Sequence, residues 1–358
     1  MVTTDIHDLA TAFRGRKVFL TGHTGFKGAW LALWLKRLGA EVTGYALAPN
    51  SEPSLFEVAG IRNTLARHVV ADIRSLADVT TAMRTAAPDV VFHLAAQPLV
   101  RASYRDPVET WSTNVIGTVH LLEAVRSCPS VRAVVVVTTD KCYQNLERDV
   151  AFAETDPLGG NDPYSASKAG AELVVQSYRK SFFANGPLVG SARAGNVIGG
   201  GDWCEDRLIP DAARATAAGN PLLIRNPNAT RPWQHVLEAL HGYLLLASRL
   251  LAGDAAFADA FNFGPNASDN IAVGDVLSRM QQHWPELHWQ LDPQSAHAPH
   301  EARLLCLDAS KAQRMLGWTP RWDLDTGLKK TAAWYREVLR NPGIARALTE
   351  QQLDEFAA

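Results

Sequence analysis

Hydrophobic and polar residues alternate along the first half of the chain in blocks of two kinds. Lys17–Thr21 is a short apolar run of β-formers that ends at a glycine cluster, and Gly28–Leu38 follows with helical character until Gly39 stops it. Glu41–Ala46 reads as the next strand. The rhythm repeats: strand His68–Val70, helix Leu76–Ala87 ended by Pro88, strand Val90–Leu94, helix Pro107–Arg126. Ala133–Val137 (AVVVV) is apolar at every position, which suits a central parallel strand buried on both faces. A helix over 162–183 and a strand over Leu188–Arg193 complete the series. Strand alternating with helix in this way predicts an α/β fold built on a doubly wound parallel (Rossmann) sheet.

Beyond Asn196 the rhythm changes. Helices are predicted at 210–218, 231–251, 308–316 and 324–339, and short strands at 222–224 and 261–263, the second a candidate for the main sheet. The tail, 350–358, is polar at first and reads as frayed. The expected organisation is a dinucleotide-binding domain over 13–195, completed by about 232–264. A smaller, mixed C-terminal substrate-binding lobe is expected from 196–231 and 265–350. No Pro/Gly/Ser-rich linker cuts the chain, so the lobe should be woven from several segments.

Composition narrows the class. The chain has 358 residues, 47% hydrophobic and 20% charged, enough to bury a large core. A formal net charge of −2 leaves no basic excess for nucleic acid, although a few placed arginines suffice for a small phosphate ligand. The four cysteines show no CxxC pair, so neither a metal site nor a disulfide framework is expected. No apolar run approaches the ~20 residues of a membrane span, and Met1–Arg14 has no apolar signal-like core, so the expected setting is cytoplasmic.

The first candidate site is the turn Gly22-His23-Thr24-Gly25-Phe26-Lys27-Gly28. One glycine turns the chain off the strand, the second admits a pyrophosphate against the backbone, and the third lets helix pack on sheet. The helix N-terminus then offers free N–H groups to the phosphates. The end of the second strand, where an acidic residue commonly holds the adenosine ribose, reads Gly44-Tyr45-Ala46-Leu47, so this element does not decide between NAD and NADP.

The second is Tyr164-Ser165-Ala166-Ser167-Lys168, a phenol and an ammonium four apart on one face of a predicted helix. A lysine beside a phenol stabilises the phenolate, which predicts a lowered Tyr164 pKa and a base for a sugar hydroxyl. The third is Thr139-Asp140-Lys141, at the C-terminal end of the AVVVV strand, where ligands meet such sheets. A simple dehydrogenase needs only a hydroxyl there. An acid and an amine together suit an elimination, in which one group removes a proton and another protonates the departing hydroxyl.

These residues resemble the extended short-chain dehydrogenase/reductases, and within them the sugar-nucleotide 4,6-dehydratases. The CDP-glucose branch of that family has Thr-Asp-Lys where the others have Thr-Asp-Glu. The likeness runs from Arg14 to about Trp322 and takes in Asn114–Thr118, Arg193–Trp203 and Arg231–Val236. It implies NAD as cofactor, contacted by Gly22, Thr24, Gly25, Phe26, Lys27, Asp72, Ile73, Leu94, Ala95, Ala96, Gln97, Asn114, Thr138, Tyr164, Lys168 and Arg193. It implies that Tyr164 deprotonates the sugar C4 hydroxyl as hydride leaves C4, with Thr139 on the C4 oxygen. Lys141 would then take the C5 proton, Asp140 would protonate the C6 hydroxyl, and hydride would return to C6.

On the substrate side Asn196, Gly201, Asp202, Trp203, Arg207, Arg231 and Trp233 follow the first lobe, and Arg101 and Ser103 lie near the sugar by resemblance. Arginines suit a diphosphate and tryptophans a base or sugar wall. His93 and His235 read as structural. The expected partner is CDP-glucose, in deoxysugar and lipopolysaccharide O-antigen biosynthesis, and the expected assembly a homodimer, with a tetramer open. A dTDP-, GDP- or UDP-sugar dehydratase, a 4-epimerase and a non-catalytic nucleotide sensor stay open as alternatives.

Overall fold

The computed structural model describes residues 6–147, 150–293 and 305–358. Seven parallel strands form the main sheet: β1 Lys17–Thr21, β2 Glu41–Ala46, β3 Arg67–Val70, β4 Val90–His93, β5 Ala133–Val137, β6 Leu188–Ala194 and β10 Ala260–Phe263, in the order β10-β6-β5-β4-β1-β2-β3. The order reverses between β1 and β4, so their C-terminal ends part and open a crevice between them. The candidate strand near 261–263 joins this sheet beside β6.

Period-two geometry divides the AVVVV strand between two cores. Ala133, Val135 and Val137 pack under the helices Phe26–Arg37 and Val236–Leu251. Val134 and Val136 pack under the helices Leu76–Ala86, Gly117–Arg126 and Pro163–Ser181. Five shorter strands form two further sheets: β7 Asn196–Ile198, β8 Leu222–Ile224, β9 Thr230–His235, β11 Asn270–Ala272 and β12 Trp289–Leu291. β9 lies parallel to β7 and antiparallel to β11, while β8 pairs with β12.

Three expectations are corrected. The helix expected from Arg231 starts at Val236; the segment before it is β9, held extended by pairing with β7 and β11. The tail is a helix, Ala345–Ala357, with Leu353 and Phe356 buried and the Phe356 ring edge-on to Trp34 and Trp322. The helix Pro107–Arg126 is interrupted by a π-helical turn, Ser112–Ile116, that contains Asn114. The helices Ile6–Phe13 and Val273–His283 and the strands β7, β11 and β12 were not foreseen. The four cysteines are free, and no described helix is long and apolar enough to cross a membrane.

Candidate active site

A single cavity of about 1240 Å³ runs along the C-terminal ends of β1, β4 and β5 and into the lobe. At one end lies the glycine turn. Gly22 adopts φ +76°, and a Cβ there would stand 2.7 Å from the Ala95 nitrogen. A Cβ on Gly28 would stand 2.1 Å from the Gly22 carbonyl oxygen, so the helix can approach the turn only without a side chain. Gly25 has room within the protein; the nearest atom to its Cβ would be Gly22 oxygen at 3.4 Å. It faces the cavity as N-cap of Phe26–Arg37, a helix with no side-chain cap and no acidic residue in its first turn. Those unclaimed N–H groups fit the pyrophosphate of a dinucleotide.

Thr24, Phe26, Lys27, Asp72, Ile73, Leu94, Ala95, Ala96, Gln97 and Thr138 continue the wall on this side. The Thr24 hydroxyl donates to the Leu47 carbonyl at 2.9 Å, which joins the turn to the end of β2. Asp72 accepts from the Arg74 guanidinium at 2.6 and 2.8 Å, which holds its carboxyl below the usual range. The Thr21 hydroxyl accepts from the backbone N–H groups of Leu94 and Ala95, each at 3.1 Å. His93 links Thr21 at 2.8 Å to Thr118 at 3.2 Å. Burial, aided by Lys168, pushes it down to about 3, so it is neutral at physiological pH and structural.

At the centre the sheet brings two elements together. Asp162 caps the helix Pro163–Ser181 through the Ser165 N–H at 2.9 Å, with Pro163 in its first turn. That cap sets Tyr164 and Lys168 against the end of β5. The Lys168 ammonium donates to the Val137 carbonyl at 3.4 Å. The Thr139 hydroxyl donates to Asp140 Oδ1 at 2.9 Å and hydrogen-bonds the Tyr164 phenol. Asp140 is 1% exposed, and its Oδ2 has no partner among the described residues. Thr139, Asp140, Lys141, Tyr164 and Lys168 all line the one cavity.

The electrostatics differ from expectation. Burial pushes Tyr164 up to about 12, with Asp140 adding to the rise; Thr139 and Arg207 oppose it. The lowered phenol inferred from the Tyr/Lys spacing is therefore absent, because desolvation outweighs the cations here. Lys168 falls to about 8 through burial, with Glu172 opposing. Lys27 falls to about 7 through burial, with Arg207 and Lys168 repelling it. Its ammonium lies 3.5 Å from the Tyr243 hydroxyl, a neighbour the sequence did not suggest.

On the lobe side Arg101, Asn196, Asp202, Arg207, Arg231 and Trp233 line the cavity. Arg207 is held by Asp202 at 2.9 Å and Arg101 by Asp206 at 2.8 Å. Five expected contacts stand away from the cavity surface, each for a packing reason. Arg193 is fully buried on Glu172 (2.8 Å) and the Tyr143 hydroxyl (2.8 Å). Asn114 accepts from the Gln97 N–H at 2.8 Å and donates to Ser167 Oγ at 2.8 Å, so it supports two walls. Ser103 turns its hydroxyl to the Val100 carbonyl at 2.6 Å. Gly201, at φ +85°, makes room for Leu55. Trp203 packs edge-on against Tyr335 in the core. The cavity also reaches Leu222–Asn226, Asn228 and Val273, which no motif marked. Among the described residues no group of His, Cys, Asp and Glu gathers to hold a metal.

With this geometry the comparisons agree. The family model for GDP-mannose 4,6 dehydratase matches residues 19–331. The CDP-glucose 4,6-dehydratase of Salmonella typhimurium (strain LT2) is 48% identical over 335 residues, 92% of each chain. This chain belongs to the sugar-nucleotide 4,6-dehydratase family. Solved structures share its fold. An epimerase from Methanothermobacter thermautotrophicus has a TM-score of 0.80 at 23% identity, over 94% of this chain and 97% of that one. The dTDP-glucose 4,6-dehydratase of Bacillus anthracis, in complex with NAD, has 0.73 at 22%, over 89% and 96%. A dehydratase needs three proton-handling groups on one hexose, and Tyr164, Asp140 and Lys141 open onto one cavity.

Proposed function

We propose that the protein is an NAD-dependent hydro-lyase that converts CDP-D-glucose to CDP-4-dehydro-6-deoxy-D-glucose and water. The observation that carries this reading is Thr139-Asp140-Lys141 on the same cavity as Tyr164 and Lys168, in a chain 48% identical to a CDP-glucose 4,6-dehydratase. NAD, when bound, accepts hydride from C4 and returns it to C6. The residues that would hold it are the glycine turn, Asp72, Ile73, Leu94–Gln97, Thr138 and Lys168.

Tyr164 takes the C4 hydroxyl proton as the C4–H bond breaks and passes its own through Thr139 to Asp140, so the tyrosine stays a phenol; Thr139 lies against the forming carbonyl. The 4-keto group acidifies C5–H, and Lys141 removes that proton. Asp140 gives its proton to the C6 oxygen as the C6–O bond breaks, so water leaves and a 5,6-double bond forms. Hydride adds at C6 and Lys141 returns the proton to C5. Carbon is oxidised at C4 and reduced at C6, so the cofactor is unchanged over the cycle. Arg207 and Arg231 hold the diphosphate, with Arg101, Asn196, Asp202 and Trp233 around the sugar and nucleotide.

The exposed apolar side chains Val108, Trp111, Ile116 and Leu173, on the helices at 107–126 and 163–181, support a homodimer through these two elements. The product chemistry fits cytoplasmic deoxysugar synthesis for a surface polysaccharide such as an O-antigen.

The test is a panel of CDP-, dTDP-, UDP- and GDP-glucose with mass and alkaline-absorbance detection of a 4-keto-6-deoxy sugar. Loss of water from CDP-glucose above the others supports the reading. Epimerised hexose with no loss of water overturns it.

A further inference from the structure

Beneath the reacting groups lies a buried polar network that the chemistry above does not use. Glu172 follows Tyr164 and Lys168 at the same four-residue interval on Pro163–Ser181 and is fully buried. Its Oε1 accepts from the Thr138 hydroxyl at 2.5 Å. Its Oε2 accepts from Ser191 Oγ and from Arg193 Nη2, both at 2.8 Å. Arg193 Nη1 donates onward to the Tyr143 hydroxyl at 2.8 Å, which donates to Asn262 Oδ1 at 2.7 Å. One carboxylate thus ties together β5 just before Thr139, the helix carrying Tyr164 and Lys168, and β6. A buried ion pair is weak evidence for added stability, since apolar packing would serve as well. That makes its place beside the site the feature to explain.

We infer that Glu172 is a positioning residue of this enzyme: it locks the end of β5 to the helix of Tyr164 and Lys168, and it supplies the buried negative charge that faces the Lys168 ammonium. Arg193 pairs with the carboxylate from β6. Burial alone would drive the Lys168 proton off; Glu172 works against this, while burial pushes the nearby Cys142 up and keeps it a neutral thiol. The other groups facing this region are His93 from β4 and Lys27 from the glycine-turn helix, each repelled by Lys168. Asp140 lies near Cys142, and Arg179, about three turns beyond Lys168 on the same helix, interacts with Glu172. None of these replaces the bond to Thr138.

The inference rests on the dehydratase reading, and wild-type turnover of CDP-glucose tests that reading separately. The test of Glu172 is the shift between variant and wild-type pH profiles of kcat. Glu172→Gln keeps the shape and removes the charge. Its alkaline limb, where Lys168 loses its proton, is expected to move about one pH unit toward acid, with kcat down roughly twofold at pH 7 and roughly tenfold at pH 9. Glu172→Asp keeps the charge and is expected to keep the wild-type limb even where kcat falls. A purely structural role would lower kcat equally at all pH and leave the limb in place in both variants, which overturns the charge assignment. Should Glu172→Gln not fold, Thr138→Val decides. It cuts the tie and keeps the charge, so with NAD occupancy brought to the wild-type level kcat should fall several-fold with KM and limb unchanged, and full kcat overturns the positioning role.

Discussion

Asp140 is an acid with one oxygen spoken for and the other buried beside Gly195 in the cavity wall. Thr139 fixes Oδ1, and Oδ2 is buried among the described residues with no partner. Such a group costs stability unless a ligand completes it, which suits a carboxyl that must reach a departing hydroxyl. Lys141 and Asp140 act on different bonds, so their variants should fail differently. Lys141→Ala is expected to lose 10²- to 10⁴-fold in kcat and to stop deuterium entering at C5 in heavy water. Asp140→Asn should still exchange C5 but lose little water, so the two defects separate by mass spectrometry. Full turnover and full exchange in Lys141→Ala would remove the lysine from the mechanism. At the turn, Gly28→Ala forces a methyl to 2.1 Å from the Gly22 oxygen. The helix must then shift off the turn, and NAD affinity by titration should fall at least tenfold while CDP affinity changes little.

At the level of elements, the π-turn Ser112–Ile116 shows how support for the site is built. It widens the helix by one residue and turns Asn114 inward, where it bridges the Gln97 backbone and Ser167 on the neighbouring helix. Asn114→Ala strands the Gln97 N–H and C=O, at about 1–3 kcal/mol, measurable as a lower urea midpoint with a parallel loss of kcat. A wild-type midpoint would show that the clamp is dispensable. The bulge also marks a limit of reading the sequence. Apolar period gives a helix from Pro107 to Arg126 but not the π hydrogen bonds within it, which arise from packing against Pro163–Ser181. The parallel strands and the glycine turn were legible because β5 is apolar throughout and the turn needs glycine at fixed positions. Of the shorter strands only β8 was, from its apolar run; β7, β11 and β12 have three residues each and carry no periodicity. Arg193 was legible only as part of a motif. Its orientation toward Glu172 depends on β6 pairing with β5, a contact far apart in sequence.

Over the whole molecule, buried titratable groups set a pH window. His23 is pushed down to about 4, and His93 and His235 to about 3, chiefly by burial. In the unfolded chain each titrates near 6.5, so below that pH the unfolded state binds more protons and folding is opposed. The contribution of each histidine is whole above 6.5 and is lost as pH falls toward its folded value, at up to about 1.4 kcal/mol per pH unit. Glu238 works the other way. Buried, and accepting from the Arg321 and Trp322 N–H groups, it is pushed up to about 7 by desolvation. Its protonated form favours the fold below the unfolded carboxylate value, and that contribution fades as pH rises through 7. From pH 7 to 5.5 the three histidines remove about 4 kcal/mol and Glu238 restores less than half of it, for a net loss of about 2 kcal/mol. Urea unfolding at the two pH values measures this directly. Glu238→Gln removes the offset, so its loss over the same interval should approach that of the histidines alone. A variant whose stability changes with pH in parallel with the wild type would show that Glu238 is ionised throughout. The rise assigned to its burial would then be cancelled by the two backbone N–H groups of the turn after Trp318.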